Sequence, residues 1–161
     1  MTAEERVEEQ LVKLGLEMPP AAEPKGVYRP ALRLGDLLYT AGHLPVRPDG
    51  TLVTGRLGAE LDVEAGYAAA QLAALGILAT VRRELGTLNR VRQVVKVFGA
   101  VHSIPEFDRH PAVINGCSEL FVAVFGAEKG RGVRSALGAG SLPLGVPVEI
   151  EAVFQVGEPL P

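Results

Sequence analysis

The chain has 161 residues, 47% apolar and 22% charged, a balance that fits one globular domain large enough to build its own core. One cysteine excludes an internal disulfide and fits a reducing cytoplasm, and the net charge of −3 with five Phe, three Tyr and no Trp argues against a nucleic-acid surface or base-stacking platform. No apolar run approaches a membrane span, and the acidic, polar start is no signal peptide.

In chain order, residues 2–14 read as a short amphipathic helix with Val7, Leu11 and Leu14 on one stripe and Gly15 as its stop, a lid packed on the domain. Residues 17–25 form a Pro-rich connector. Two apolar runs, 27–34 and 37–41, joined at Gly35-Asp36, read as a β-hairpin. Residues 47–56 carry Pro48-Asp49-Gly50 turn chemistry. Asp62 caps a helix predicted to reach Leu85 before Gly86, with small residues for close packing on a sheet. A strand over 91–101, a helix over 111–125, a turn over 126–132 and strands over 133–139 and 146–156 complete the chain. The pattern is α+β: one mixed sheet with two helices on one face plus a short N-terminal helix. No third layer remains for the other sheet face, so association of several copies is expected to cover it.

Familiar motifs are missing. Gly130-Arg131-Gly132 lacks the rest of a phosphate loop, and there is no Gly-x-Ser-x-Gly elbow. His43, His102 and His110 have no metal-like spacing, and Cys117 sits on the apolar stripe of its helix as a buried structural thiol.

The informative stretch is 134–152. An isolated Arg134 precedes a bend rich in Gly and Pro, and then an alternating strand sends Val148, Ile150, Ala152, Phe154 and Val156 one way and Glu149, Glu151, Val153 and Gln155 the other. The bend is expected to fold this strand back beside Arg134, bringing cation and carboxylate together on adjacent strands. On the residues alone, the ordinary reading of Arg134 is a strand-edge ion pair, and of Glu149 and Glu151 solvated or paired carboxylates.

Resemblance changes that balance. Arg134-Ser135, Ser141-Leu142-Pro143 and Val148-Glu149-Ile150-Glu151-Ala152, with Tyr28 after a glycine, Tyr39-Thr40-Ala41-Gly42-His43-Leu44-Pro45, Val94-Val95-Lys96-Val97 and the helix at Asn115, resemble the Rid family. These are the YjgF-like, L-PSP endoribonuclease-like deaminases of reactive enamines and imines. The match runs in unbroken order over about residues 24–156. The longer N-terminus and the Asn115-to-Phe121 helix look like a separate, less characterised branch labelled as endoribonuclease or translation inhibitor.

The resemblance implies a chorismate-mutase-like fold and a homotrimer, its three sheets forming a central barrel with sites between subunits. It implies a hydrolase of the 2-iminopropanoate/2-iminobutanoate deaminase type, acting on small carboxylates such as 2-aminoacrylate without a cofactor. Arg134 would grip the substrate carboxylate, Glu149 would position or activate water, and Tyr28, Gly42, Asn115 and Ala136 would line the cleft. Ala136 stands where RidA-type members commonly carry cysteine, so that contact would run through backbone. His43 stands where glutamine is common, a change expected to bear on selectivity or pH dependence. A non-catalytic carboxylate-binding or partner-modulating trimer is the alternative. RNA cleavage has less support, since no paired His or His-Lys constellation accompanies the negative charge.

Overall fold

A computed structural model of the chain describes residues 5–158. Local chemistry sets the helix ends. The Asp62 carboxylate accepts from the Ala65 amide at 2.8 Å, and α2 (Val63–Leu85) runs from there to Gly86, whose φ of 84° ends it. Helix α3 (His110–Phe125) starts one residue ahead of expectation, with Pro111 in its first turn. The two helices pack closely: a Cβ on Gly116 would overlap the Tyr67 carbonyl. The N-terminal helix α1 (Glu5–Lys13) buries Leu11, while Leu14 falls beyond the helix and is 42% exposed. The predicted start of α1 at residues 2–4 lies outside the described residues.

The hairpin strands β1 (Ala31–Leu34) and β2 (Leu37–Thr40) turn at Gly35, whose φ of 61° the missing Cβ permits. The first strand is shorter than predicted. Pairing starts at Ala31 opposite Thr40, where β2 ends, so residues 27–30 have no partner strand and Tyr28 stands outside the sheet. Strands β3 (Val91–His102), β4 (Val133–Ala139) and β5 (Val148–Val156) complete a five-stranded sheet in the order β1-β2-β5-β3-β4. β5 starts two residues later than predicted, since Pro147 has no amide to give the ladder. Every pair is antiparallel except β3–β4, which α3 connects as a crossover.

This order corrects one expectation. β5 does not lie beside β4, because β3 runs between them. A tight bend joins antiparallel neighbours, but β4 already takes β3 as a parallel partner at the sheet edge.

One face of the sheet is the core. Val148, Ile150, Ala152, Phe154 and Val156 are all buried with Val94, Val97 and Val101, beneath α2 and α3. Cys117 is fully buried in the same layer, where burial pushes its thiol far above the ordinary range. Helix α2 is long and apolar enough to cross a membrane, contrary to the expectation from the sequence, but more than half of that span is buried in this core. The opposite face bears Leu32, Leu34, Tyr39, Val133 and Leu137, each 42–67% exposed, and no element covers it among the described residues.

Candidate functional site

Arg134 stands on β4 opposite Val97 of β3, whose side chain is buried under the helices. Partners in a parallel ladder share a face, so Arg134 points to the helix side. There α3 meets it with two residues one turn apart. Nη1 donates to Asn115 Oδ1 at 2.8 Å and to Ser118 Oγ at 3.2 Å. Both acceptors are neutral. Among the described residues Arg134 has no carboxylate partner, and its Nε and Nη2 are left to donate elsewhere. A half-buried guanidinium held by neutral groups is a ready anchor for an anion, and its free edge matches the two oxygens of a carboxylate. Ala136, two residues on and opposite Gly99, shares this face.

Glu149 lies on β5 opposite Ala100, one residue out of phase with the buried Val148 and Ile150, so it points to the open side of the sheet. Its carboxylate rests over the Cα of Gly42, where any side chain would occupy the same space as Oε1. Gly42 is fixed from behind. His43 and Ile150 exchange backbone hydrogen bonds of 2.8 and 3.1 Å, which ties residues 41–43 to the start of β5. Partial burial, and then the neighbouring Glu151 charge, hold the Glu149 carboxyl above the usual carboxylate range.

The predicted residues therefore form two groups within one protomer. Arg134, Asn115 and Ala136 share the helix side; Gly42 and Glu149 share the open side. The sheet lies between them, so the expected meeting of Arg134 and Glu149 on adjacent strands does not occur inside a single copy. The reason is parity: Arg134 is in phase with Val97 and Ala152, whereas Glu149 is in phase with Phe98 and Glu151. Tyr28 precedes the hairpin and is 53% exposed.

Comparison with known proteins follows the same architecture. A family profile described as "YjgF/chorismate_mutase-like, putative endoribonuclease" matches residues 8–151. The chain belongs to the Rid (YjgF-like) family. It is 40% identical over 156 residues to Protein TCP17 of Trypanosoma cruzi, covering 97% of this chain and 98% of that protein. Atu1372 of Agrobacterium tumefaciens, a crystal structure of unknown function, is 39% identical and superposes with a TM-score of 0.88 over 96% of each chain. RidA from the Antarctic bacterium Psychrobacter is 29% identical, with a TM-score of 0.57 over 86% of this chain and 94% of its own. This Rid chain is thus structurally nearer to Atu1372 than to that RidA.

Two residues of this Rid chain escaped sequence reasoning. Ser118 was detectable, since position i+3 from Asn115 lies on the same helix face. The second is Thr80, which becomes relevant only once His43 is located. His43 is 4% exposed and faces the helices. Its Nδ1 lies 2.7 Å from the Ala41 carbonyl, which can only accept, so Nδ1 carries the proton and Nε2 accepts from Thr80 Oγ at 2.8 Å. The His43 ring is thus sealed in the core, and its backbone braces Gly42 from behind.

Proposed function

We propose that this protein is a hydrolytic deaminase of small 2-imino and enamine acids, releasing a 2-oxo acid and ammonia at sites shared between the subunits of a homotrimer. The observation that carries this is Arg134: a guanidinium held by Asn115 and Ser118, with two donors free and no carboxylate partner among the described residues. Kinship with RidA supports the reaction class, and a chain with a single, buried cysteine fits a cytoplasmic setting.

The chemistry follows from the substrate. An enamine such as 2-aminoacrylate takes a proton on its terminal carbon and becomes an iminium beside a carboxylate. Arg134 holds that carboxylate and so orients the electrophilic carbon. Water adds to this carbon while Glu149 of a neighbouring copy takes its proton. The proton passes to nitrogen, the C–N bond breaks with loss of ammonia, and the hydroxyl proton goes to the carboxylate as the carbonyl forms, then to solvent, replacing the proton that the enamine carbon took from solvent. A carboxyl titrating above the usual range suits a group that must both accept and release a proton.

The test is release of 2-oxo acid and ammonia from 2-aminoacrylate, or its four-carbon homologue, generated in place. Acceleration over the spontaneous rate is expected, and no acceleration overturns the proposal. Arg134→Lys loses the fork geometry and is expected to slow turnover by roughly ten- to a hundredfold, with little change in the unfolding midpoint.

A further inference from the structure

The ladder between β2 and β5 breaks beside Glu149. Pairing stops at Tyr39 opposite Val153 and resumes at His43 opposite Ile150. Thr40, Ala41 and Gly42 therefore stand against only Glu151 and Ala152, and the extra residue makes a β-bulge. In unbroken register Gly42 would lie opposite Ile150 and face the helices. The bulge reverses that phase: His43 enters the core, and Gly42 lies against the Glu149 carboxylate.

A bulge forfeits ladder bonds, and here side chains replace them. Thr40 Oγ accepts from the Ala152 amide at 3.0 Å. The Ala41 carbonyl accepts from His43 Nδ1 at 2.7 Å. That leaves Nε2 of the neutral ring a bare acceptor in the core. The hydroxyl of Thr80 on α2, itself fully buried, donates to it at 2.8 Å. Gly76, one turn earlier on α2, lies against the same ring: a Cβ there would stand 3.6 Å from Cδ2.

We infer that Thr80 is a positioning residue for the proposed reaction: its hydroxyl fixes the His43 ring, the ring holds the bulge, and the bulge sets the place of the Glu149 carboxylate. This assignment rests on the role proposed for Glu149 in proton transfer. Thr80 is sealed in the core and acts only through His43. Without its hydroxyl, Nε2 is a buried acceptor with no donor, a cost that a displaced ring escapes. Displacing the ring releases the Ala41 carbonyl, and Gly42 shifts with it. Arg134, held by α3 at the far edge of the sheet, takes no part, so the loss falls on turnover and spares substrate binding.

The experiment compares Thr80→Val, Thr80→Ser and Glu8→Ala with wild type, scaling kcat to the folded fraction. Thr80→Val keeps the shape and loses the donor; kcat is expected to fall about ten- to a hundredfold, with KM within about twofold. Thr80→Ser restores the donor and is expected to recover kcat. Glu8→Ala loses stability away from the site and is expected to keep the wild-type kcat. Nitrogen NMR follows the cause: His43 is expected to carry its proton on Nδ1 in wild type and Thr80→Ser, and to lose that signature in Thr80→Val. Should Thr80→Val fail to fold, Thr80→Ala removes the same hydroxyl and carries the same comparison. Unchanged kcat without the hydroxyl, an equal fall in Glu8→Ala, or no recovery in Thr80→Ser overturns the assignment. If wild type shows no turnover, the deaminase fails on its own, and carbon-13 titration of the Glu149 carboxyl decides the role of Thr80. Its midpoint is expected to move toward the ordinary carboxylate value without the hydroxyl, as water reaches it, and to return in Thr80→Ser. A midpoint that stays in place overturns the assignment.

Discussion

At the scale of single residues, two neighbouring positions are constrained in different ways. Gly42 has no unusual backbone angle; its constraint is space, since a methyl group would displace the Glu149 carboxylate. The displaced group is the end of a flexible side chain, so the stability cost of Gly42→Ala is expected to stay within about 1 kcal/mol. Misplacing a proton-transfer group by about 1 Å costs about a hundredfold in rate. The expected outcome is therefore a catalytic loss out of proportion to the shift in urea midpoint. His43 makes a different prediction. Burial, and secondarily the Arg83 charge, pull its pKa below the ordinary value of 6.5, against the opposing hydrogen bond to Ala41. The unfolded chain then binds a proton that the folded chain refuses, so stability falls as pH drops below about 6.5, by up to about 1.4 kcal/mol per pH unit until the folded ring titrates. Glu149 acts in the opposite sense: its raised pKa makes the folded chain the better proton acceptor just above 4.5, so that contribution grows as pH falls. Urea denaturation of wild type and His43→Gln at pH 7.5 and 5.5 separates the two. The wild type is expected to lose more stability than the variant between these values.

At the scale of elements, α1 is fastened by the buried Leu11 and by a set of hydrogen bonds centred on Glu8. Glu8 accepts from Thr87 Oγ at 3.2 Å and the Leu88 amide at 3.0 Å, and its other oxygen accepts from Asn89 Nδ2 at 3.2 Å. It thereby caps the single turn Leu88–Arg90 that feeds β3. Glu8→Ala leaves those donors to water and is expected to cost about 1–2 kcal/mol, with faster exchange of the Leu88 amide and unaltered kinetics at the site. None of this contact set was visible in the sequence, where α1 showed only its apolar stripe and Gly15. The long elements were legible, because Asp62, Gly86 and Pro111 act within a few residues of where they sit. So was the alternation of β5, which put Glu149 and Ile150 on opposite faces. What local patterns could not give was the strand order. Whether a Gly- and Pro-rich bend leads to the next strand or across one depends on which edge is still free, and β3 had already claimed both neighbours. For the same reason the face of Arg134 was hidden, since strand β4 is amphipathic only weakly and its register is set by Val97 and Gly99 rather than by its own residues.

At the scale of the whole molecule, an uncovered sheet face and a site divided by the sheet point to one arrangement. One sheet face carries Leu34, Val133 and Leu137, each more than half exposed. The proposed reaction needs Arg134 and Glu149 together, yet in one copy they lie on opposite sides of the sheet. Assembly in a ring would cover the face and bring the Arg134 side of one copy to the Glu149 side of the next. That geometry has a consequence no single-copy site can imitate. Arg134→Lys and Glu149→Gln are each expected to be nearly inactive as pure proteins. Unfolded together in equal amounts and refolded, they form mixed rings. A shared site is intact when the copy supplying arginine is the Glu149→Gln chain and its neighbour is the Arg134→Lys chain, which random mixing gives at about one site in four. Recovery of about a quarter of wild-type activity is expected, together with the mass of a trimer in light scattering. If mixing recovers nothing while trimers form, the two groups do not serve one site across the interface; if only single copies are found, the open face has another use.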